Sequence, residues 1–365
     1  MTTKQINVVF LYKPCDALEP SGHYYSYEYH FFFSALKRNN RIKVTYLKIG
    51  TNFDASELND KYDVILLYEN RNVCEPDEIK SLEKLDTPVI AQLGDAHAAK
   101  LFDYKYYHEK WKIDAYFNFF PPDYVYEFYP KQYKYKMITG WLEGQLYENL
   151  KPYGMRKKDR ILNSGAVVNM KLKSRIMTKL TRSKYMDPIR FYKLRTMCNK
   201  LPYVDYTLTL QHEYIGDKYP KLLEQYCSAI AASTNVYAPK YFEIPASGCM
   251  TFMEVTEQNY AKALGFIDGE NSIFINEKNY KAKFEEYLAD KDNPKWEKIA
   301  ESGRKYAIEN FNNDRGIDSL VDLIEELTIE SMPWSFLKFS IAYLRPLSAI
   351  ENFNNDRGKI WRAHV

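Results

Sequence analysis

The stretch KYFEIPASG at residues 240–248 decides the fold, together with the loop, helix start and strand that residues 236–254 predict. A carboxylate at the start of a helix, here Glu243, can accept hydrogen bonds from both hydroxyls of a ribose, and Lys240 can neutralise a diphosphate beside it. A purely structural role also fits, with Glu243 in a first helical turn, Lys240 as a solvated charge and Gly248 as a packing glycine. Taken alone, the stretch favours that structural role.

A second turn of interest, NSGA at residues 163–166, follows a strand-like run and precedes a basic helix that carries Arg175. Glycine lets a backbone come close to a phosphate, and the free amides at a helix start favour negative charge. Ser164 and Gly165 are therefore candidate phosphate contacts. An ordinary strand-to-helix turn would look the same, so the turn by itself does not decide.

The charge of the chain is unevenly distributed. Residues 151–200 contain fifteen lysines or arginines against two aspartates, a local balance of +13, whereas the whole chain carries only +3. Such a segment predicts an anionic partner, either a phosphate group or a nucleic acid.

The 365 residues exceed the ~100–200 typical of one domain, which predicts two domains. With 45% hydrophobic and 27% charged residues, the composition is globular and excludes a disordered or fibrous chain. In the N-terminal half, buried strand patterns alternate with helical ones, which predicts a parallel, doubly wound sheet with ligands at the carboxyl ends of its strands. Strands are predicted at residues 6–12, 41–49, 62–68 and 87–93, and helices at 25–39 and 75–85.

A second α/β unit follows the polar linker KPYGMRKKDR at residues 151–160. Its predicted strands lie at 160–168, at 203–210 and within 236–254, and its helices at 171–183, 219–233, 293–311 and 317–332. We therefore expect domains at 1–150 and 151–330, with a C-terminal segment at 331–365 that can cross back to the first domain. The segment AIENFNNDRG occurs at residues 307–316 and 349–358; two copies are too few for a solenoid, so the second is interpreted as a terminal duplication.

The N-terminal half offers two further sets of polar residues after predicted strands. Asp95 and His97 follow the strand at 87–93, and either can accept a proton from an acceptor hydroxyl. Helix capping by Asp95 and a surface position for His97 remain open as structural alternatives. Gly22 and His23, after the first strand, are candidates for the border of an acceptor site or for a plain surface loop.

At these motifs the sequence resembles the GT-B glycosyltransferases, in particular the group similar to the spore maturation protein CgeB. The resemblance rests on the order and spacing of four stretches and covers roughly residues 160–327. They are SGAVVNMKLKSR (164–175), APKYFEIPASGCMTFME (238–254), LGFIDGENSIFIN (264–276) and IAESGRKYAIENF (299–311). The resemblance implies two Rossmann-like doubly wound domains facing a cleft, with the acceptor on the 1–150 side and a nucleotide sugar on the 151–330 side.

The resemblance also implies roles for individual residues. Retaining GT-B enzymes commonly carry two glutamates separated by seven residues, and Glu243 matches the second, which holds the donor ribose. Asn235 stands where the first glutamate, which contacts the transferred sugar, would be, so the identity of the sugar does not carry over. The remaining donor-side candidates are Ser164 and Gly165 in the glycine turn, Arg175 and Lys240 facing the diphosphate, and Ser247 and Gly248 in the small-residue turn.

The function expected from the sequence is metal-independent transfer of a sugar from a nucleotide diphosphate sugar to an acceptor hydroxyl, with no cofactor and no metal site. The acceptor, whether glycan, lipid-linked or protein, is open. Two alternatives are a nucleic-acid-binding protein that uses residues 151–200 and an inactive nucleotide-binding relative. Against the first, no nucleic-acid-binding motif appears, so no nucleic-acid partner is expected.

A cytoplasmic location is expected, because the five cysteines lack zinc spacing and neither a signal peptide nor a run of ~18 apolar residues is present. The amphipathic residues 334–344 leave a peripheral membrane contact open.

Overall fold

The structure is a computed structural model that describes residues 5–12, 24–50, 52–68, 79–99, 103–165, 191–207 and 216–330. The predicted helix at 171–183, with Arg175, lies outside these residues. So do Gly22, His23, the C-terminal segment 331–365 and the second copy of AIENFNNDRG.

The first sheet confirms the parallel, doubly wound architecture. Its six strands are ordered β2-β1-β4-β6-β7-β8 and all neighbours pair in parallel. A separate two-stranded pair, β3 with β5, lies apart from it. The strands are β1 (Ile6–Tyr12), β2 (Ile42–Lys48), β3 (Phe53–Asp54), β4 (Val64–Leu67), β5 (Ile79–Lys80), β6 (Val89–Gln92), β7 (Ala115–Asn118) and β8 (Lys134–Met137).

The second sheet is also entirely parallel, in the order β10-β9-β11-β12-β13. Its strands are β9 (Lys157–Asn163), β10 (Val204–Tyr206), β11 (Tyr226–Ala231), β12 (Met250–Glu254) and β13 (Ile273–Ile275). All strands of the first sheet precede residue 150 and all strands of the second follow it. The domain boundary predicted there is compatible with this arrangement.

Nine α-helices lie within the described residues. In the first half they are α1 (Tyr24–Ala35), α2 (Tyr104–Trp111) and α3 (Pro122–Val125). In the second half they are α4 (Lys193–Cys198), α5 (Tyr219–Leu223), α6 (Lys240–Ala246), α7 (Tyr280–Ala289), α8 (Pro294–Phe311) and α9 (Asn313–Glu330).

Two helix predictions are wrong. The helix predicted at 219–233 ends at Leu223, and its second half forms β11, whose six residues are all buried between neighbouring strands. A fully buried parallel strand is apolar on both faces, so it lacks the alternation that separates strands from helices. The helix predicted at 75–85 is wrong over its described part, where β5 is followed by a single 3-10 turn at Leu82–Lys84.

The chain returns to the first domain earlier than the segment 331–365 that the sequence suggested. Leu142 pairs with Asn312, the amide of Leu142 donates to the Phe311 carbonyl, and the amide of Asn313 donates to the Leu142 carbonyl. The helix that follows, α9, packs against α1. The apolar core is therefore shared by both domains, because it includes residues of the first sheet together with Phe242 and Ile317.

Candidate active site between the two domains

Four of the donor-side candidates, Ser164, Gly165, Lys240 and Glu243, lie close to where β9 and β11 end in the second sheet. The turn Ser164-Gly165 directly follows β9, and the helix α6, which begins at Lys240, follows β11 after a short loop. Since all strands of the sheet run parallel, these two segments meet at one edge.

Lys240 is buried and is therefore not the solvated charge of the structural alternative. Only 6% of the residue is exposed, and its Nζ donates a hydrogen bond to the carbonyl of Ser164. Burial lowers the pKa of Lys240 well below its usual range; the positive charge of Arg195 lowers it further, while Glu243 opposes the shift. The buried side chain of Lys240 thus connects the start of α6 to the glycine turn.

Glu243 lies in the first turn of α6, as predicted, with a half-buried side chain. Burial raises the pKa of this carboxyl from 4.5 to about 7, against the opposing effects of Lys240 and of a hydrogen bond from Tyr147. That bond is long, with 3.5 Å between Tyr147 Oη and Glu243 Oε1. The carboxylate therefore retains capacity to accept hydrogen bonds from a ligand.

The glycine turn is held by hydroxyl groups. Gly165 has a φ of 97°, which favours glycine, and its amide donates to Thr207 Oγ1 at 2.8 Å. Ser164 Oγ lies 2.6 Å from Tyr219 Oη. Burial raises the pKa of Tyr219 and the negative charge of Glu243 adds to the shift, which places this phenol near the carboxylate.

Arg195, on α4, belongs to this cluster but was not singled out from the sequence. It is 4% exposed, and its Nε and Nη2 donate to the Ala232 carbonyl at 3.3 and 2.9 Å. Its effect on the pKa of Lys240 places it beside that ammonium group. The only signal in the sequence was its membership of the basic segment.

Ser247 and Gly248 lie at the other end of α6. Ser247 is fully buried and its hydroxyl donates to the Ile244 carbonyl at 2.6 Å. Gly248 has a φ of 73°, and a Cβ there would lie 3.5 Å from Arg156. These contacts give both residues a role in ending the helix, and their contact with a donor stays a prediction.

A cavity of about 260 Å³ lies between the two domains. It brings together His97 from the first domain and Asn235 from the second. Nearby, Tyr237 Oη donates to the Phe119 carbonyl at 2.5 Å and connects the domains directly. The cavity is lined by His97, Tyr124, Glu127 and Phe128 from the first domain and by Phe191, Asn235, Glu257, Gln258 and Tyr260 from the second.

His97 and Asp95 occupy the loop after β6. The Nδ1 atom of His97 lies 2.9 Å from Tyr124 Oη, and its ring lies 4.8 Å from that of Phe191. Asp95 precedes the 3-10 turn Ala96–Ala98 but its side chain makes no capping hydrogen bond, contrary to the structural alternative. His97 therefore faces the cavity, and Asp95 stands two residues before it.

Within the described ranges, no three histidine, cysteine, aspartate or glutamate side chains lie close enough together to hold a metal ion. None of the helices that the structure describes combines the length and the apolar character needed to cross a bilayer.

Neither a family model nor a curated protein matches the chain, but solved structures do. HepE from Anabaena with bound UDP aligns with a TM-score of 0.54 at 12% identity, over 88% of this chain and all of HepE. Sucrose-phosphate synthase from Thermosynechococcus elongatus aligns with a TM-score of 0.53 at 13% identity, over 90% of this chain and all of the synthase. A glycosyltransferase from Rickettsia africae aligns with a TM-score of 0.53 at 11% identity, over 89% of this chain and 99% of that enzyme. With its two parallel sheets and these neighbours, the chain has the GT-B fold of two Rossmann-like domains.

Proposed function

We propose that this protein is a glycosyltransferase that moves a sugar from a nucleotide diphosphate sugar to an acceptor hydroxyl. The observation that carries the proposal is the buried cluster of Lys240, Glu243 and the Ser164-Gly165 turn at the carboxyl edge of the second sheet. Two proteins of similar fold support it: HepE was solved in complex with UDP and glucose, and an α-glucosyltransferase was solved in complex with UDP-glucose and DNA.

In the donor complex, Glu243 accepts hydrogen bonds from the ribose hydroxyls. Lys240 and Arg195 stabilise the diphosphate, with Arg175 as a further candidate, and the missing side chain at Gly165 lets the phosphates approach the backbone. An arriving diphosphate would also favour the charged form of Lys240, which burial otherwise opposes. A bound anion would thus stabilise the charges of this cluster.

The transferred sugar lies beside Asn235, whose amide replaces the first glutamate of the retaining enzymes. The acceptor oxygen bonds to the anomeric carbon while the bond from that carbon to the diphosphate oxygen breaks, and the electron pair leaves with the diphosphate. The acceptor proton passes to His97 or Asp95 in an inverting reaction, or to the departing diphosphate in a retaining one. Lys240 and Arg195 stabilise the charge that develops on the leaving group.

Calorimetric titration with UDP, GDP and ADP tests the donor site. We expect one nucleotide to bind, and Glu243→Ala to weaken it by roughly 1.5–3 kcal/mol, because a hydrogen-bonded charged group is lost. Glu301→Ala, an exposed glutamate on α8, is the matched control and should leave the affinity unchanged. Absence of binding to all three nucleotides would refute the proposal, and an unchanged affinity in Glu243→Ala would remove the ribose assignment.

Metal independence is a separate prediction. Because lysine and arginine side chains can neutralise a diphosphate without a cation, we expect transfer or donor hydrolysis to persist in excess EDTA. Loss of turnover in EDTA, with recovery on adding Mg²⁺ or Mn²⁺, would contradict this prediction. Turnover of any kind would also eliminate the alternative of an inactive relative.

The nucleic-acid alternative finds little support in the described part of the basic segment, where five of the basic side chains already have protein partners. Arg156 donates to the Ser247 carbonyl, Arg160 pairs with Asp205 and Arg195 holds the Ala232 carbonyl. Lys158 and Lys193 pair with Asp292 and Glu277. These residues are therefore not arranged as an open polyanion surface.

A further inference from the structure

The cavity between the domains has aromatic walls on both sides. Tyr124 and Phe128 come from the first domain, and Phe191 and Tyr260 from the second. The rings of Tyr124 and Tyr260 meet edge to face at 5.7 Å across the domain boundary. Aromatic faces suit the C–H faces of a sugar ring, and about 260 Å³ falls below the ~300–1,000 Å³ of pockets for drug-sized ligands. The space therefore suits one sugar ring and not a whole nucleotide.

Among the described residues that line this cavity, two are acidic. Glu127 and Glu257 line it, and both are exposed residues. Among the described lining residues, none is a lysine or an arginine. Glu127 accepts a hydrogen bond from Tyr260 Oη, which keeps its carboxylate at the junction of the two domains.

The two lining phenols experience the same negative charge. The pKa of Tyr124 is raised first by burial and then by the charges of Asp95 and Glu127. The pKa of Tyr260 is raised to about 12, first by burial and then by Glu127 and Asp123. Acidic groups of the first domain thus reinforce the carboxylates that line the cavity.

The donor cluster differs, because it contains two basic side chains, Lys240 and Arg195, beside the carboxyl of Glu243. We propose that the cavity accepts a sugar ring that carries no negatively charged substituent, and that Glu127 and Glu257 exclude phosphorylated and carboxylated sugars from it. The inference rests on the proposed function. If so, anionic groups bind only on the basic side, and the sugar ring in the cavity is uncharged.

The test compares three probes on protein saturated with UDP, at low ionic strength: methyl glucoside, methyl glucuronide and glucose 6-phosphate. Binding is followed by saturation-transfer NMR and quantified by titration. We expect the neutral glycoside to bind at least about tenfold more tightly than either anionic probe, because the nearby carboxylates of Glu127 and Glu257 repel a negative charge. The difference should narrow at high salt.

Variants assign the effect to the named carboxylates. Glu257→Gln and Glu127→Gln should each improve binding of the anionic probes by about three- to tenfold while changing that of methyl glucoside less than twofold. Glu301→Gln, outside the cavity, should change neither. Anionic probes that bind as tightly as the neutral one, glutamine variants without effect, or no binding of any probe would each overturn the inference. Nucleotide binding, measured in the same samples, reports separately on the proposed function.

Discussion

Burial of Glu243 disfavours the charged form of its carboxyl, so its protonation should change the stability of the protein measurably with pH. Its pKa rises from 4.5 to about 7 through burial. Between these two pH values the unfolded chain loses the proton first, so the folded state binds more protons and stability falls as pH rises. We expect wild-type protein to lose up to roughly 3 kcal/mol relative to Glu243→Gln between pH 4.5 and pH 7.5, measured by urea unfolding.

The comparison with Glu243→Gln is necessary because two neighbours titrate as well. The lowered pKa of Lys240 acts with the opposite sign, and burial also raises the pKa of Glu254 to about 7. A difference between wild type and variant that stays constant from pH 4.5 to 7.5 would show that the Glu243 carboxyl is solvated in the folded protein.

At the residue scale, the sequence was sufficient where a motif constrains the backbone. Gly165 has the positive φ that a glycine turn suggests, and Glu243 lies in a first helical turn. Arg195 could not be singled out, because the sequence does not distinguish a buried arginine that donates to the Ala232 carbonyl from an arginine exposed to solvent. Burial and partners depend on chain segments that are distant in sequence, and composition does not encode them.

At the element scale, the strands β1, β2, β4 and β6 of the first domain were predicted closely because turn residues separate short β-branched runs. The strand β11 was missed since Leu222 and Leu223 precede Tyr226 at spacings that also fit a helix. Only its pairing with β9 and β12 decides between the two structures. Parallel pairing joins residues far apart in sequence, which a local pattern cannot reveal.

Within α8, Gly303 offers a test of how this helix meets its surroundings. A Cβ there would lie 2.5 Å from the Asn271 carbonyl oxygen and 3.5 Å from Pro245 of α6. Replacing a mid-helix glycine with alanine normally stabilises by about 1 kcal/mol, but this contact should reverse the sign. We expect Gly303→Ala to destabilise the protein by about 1–3 kcal/mol in urea unfolding.

The neighbouring Ser302, which is exposed on the same helix, provides the control. Ser302→Ala should be neutral or stabilising by a few tenths of a kcal/mol, on helix propensity alone. If Gly303→Ala were equally stabilising, that result would contradict the close contact between Gly303 of α8 and the Asn271 carbonyl oxygen.

At the scale of the whole molecule, the unpredicted feature is the domain on which α9 packs. Its buried residues Ile317, Leu320, Val321 and Ile324 have helical spacing, so the helix and its apolar face were predictable. The spacing does not say which domain that face contacts. The crossing at Asn313 determines this choice, together with ion pairs on the outer face, where Arg41 binds Asp322 and Glu325 and Arg38 binds Asp314.

Asn313 is the buried part of this crossing. Its Oδ1 accepts from the Trp141 amide at 2.9 Å and its Nδ2 donates to Glu143 Oε2 at 3.1 Å, with only 1% of the residue exposed. Asn313→Ala leaves a buried amide and a buried carboxylate oxygen without these partners, so we expect a loss of about 1–3 kcal/mol in urea unfolding. The control is Asp318, which lies on the same helix as Asn313. Asp318→Ala removes only an exposed hydrogen bond that Asn39 donates, and it should cost less than about 0.5 kcal/mol. Equal losses in the two variants would mean that the surface contacts, and not the buried crossing at Asn313, hold α9 on the first domain.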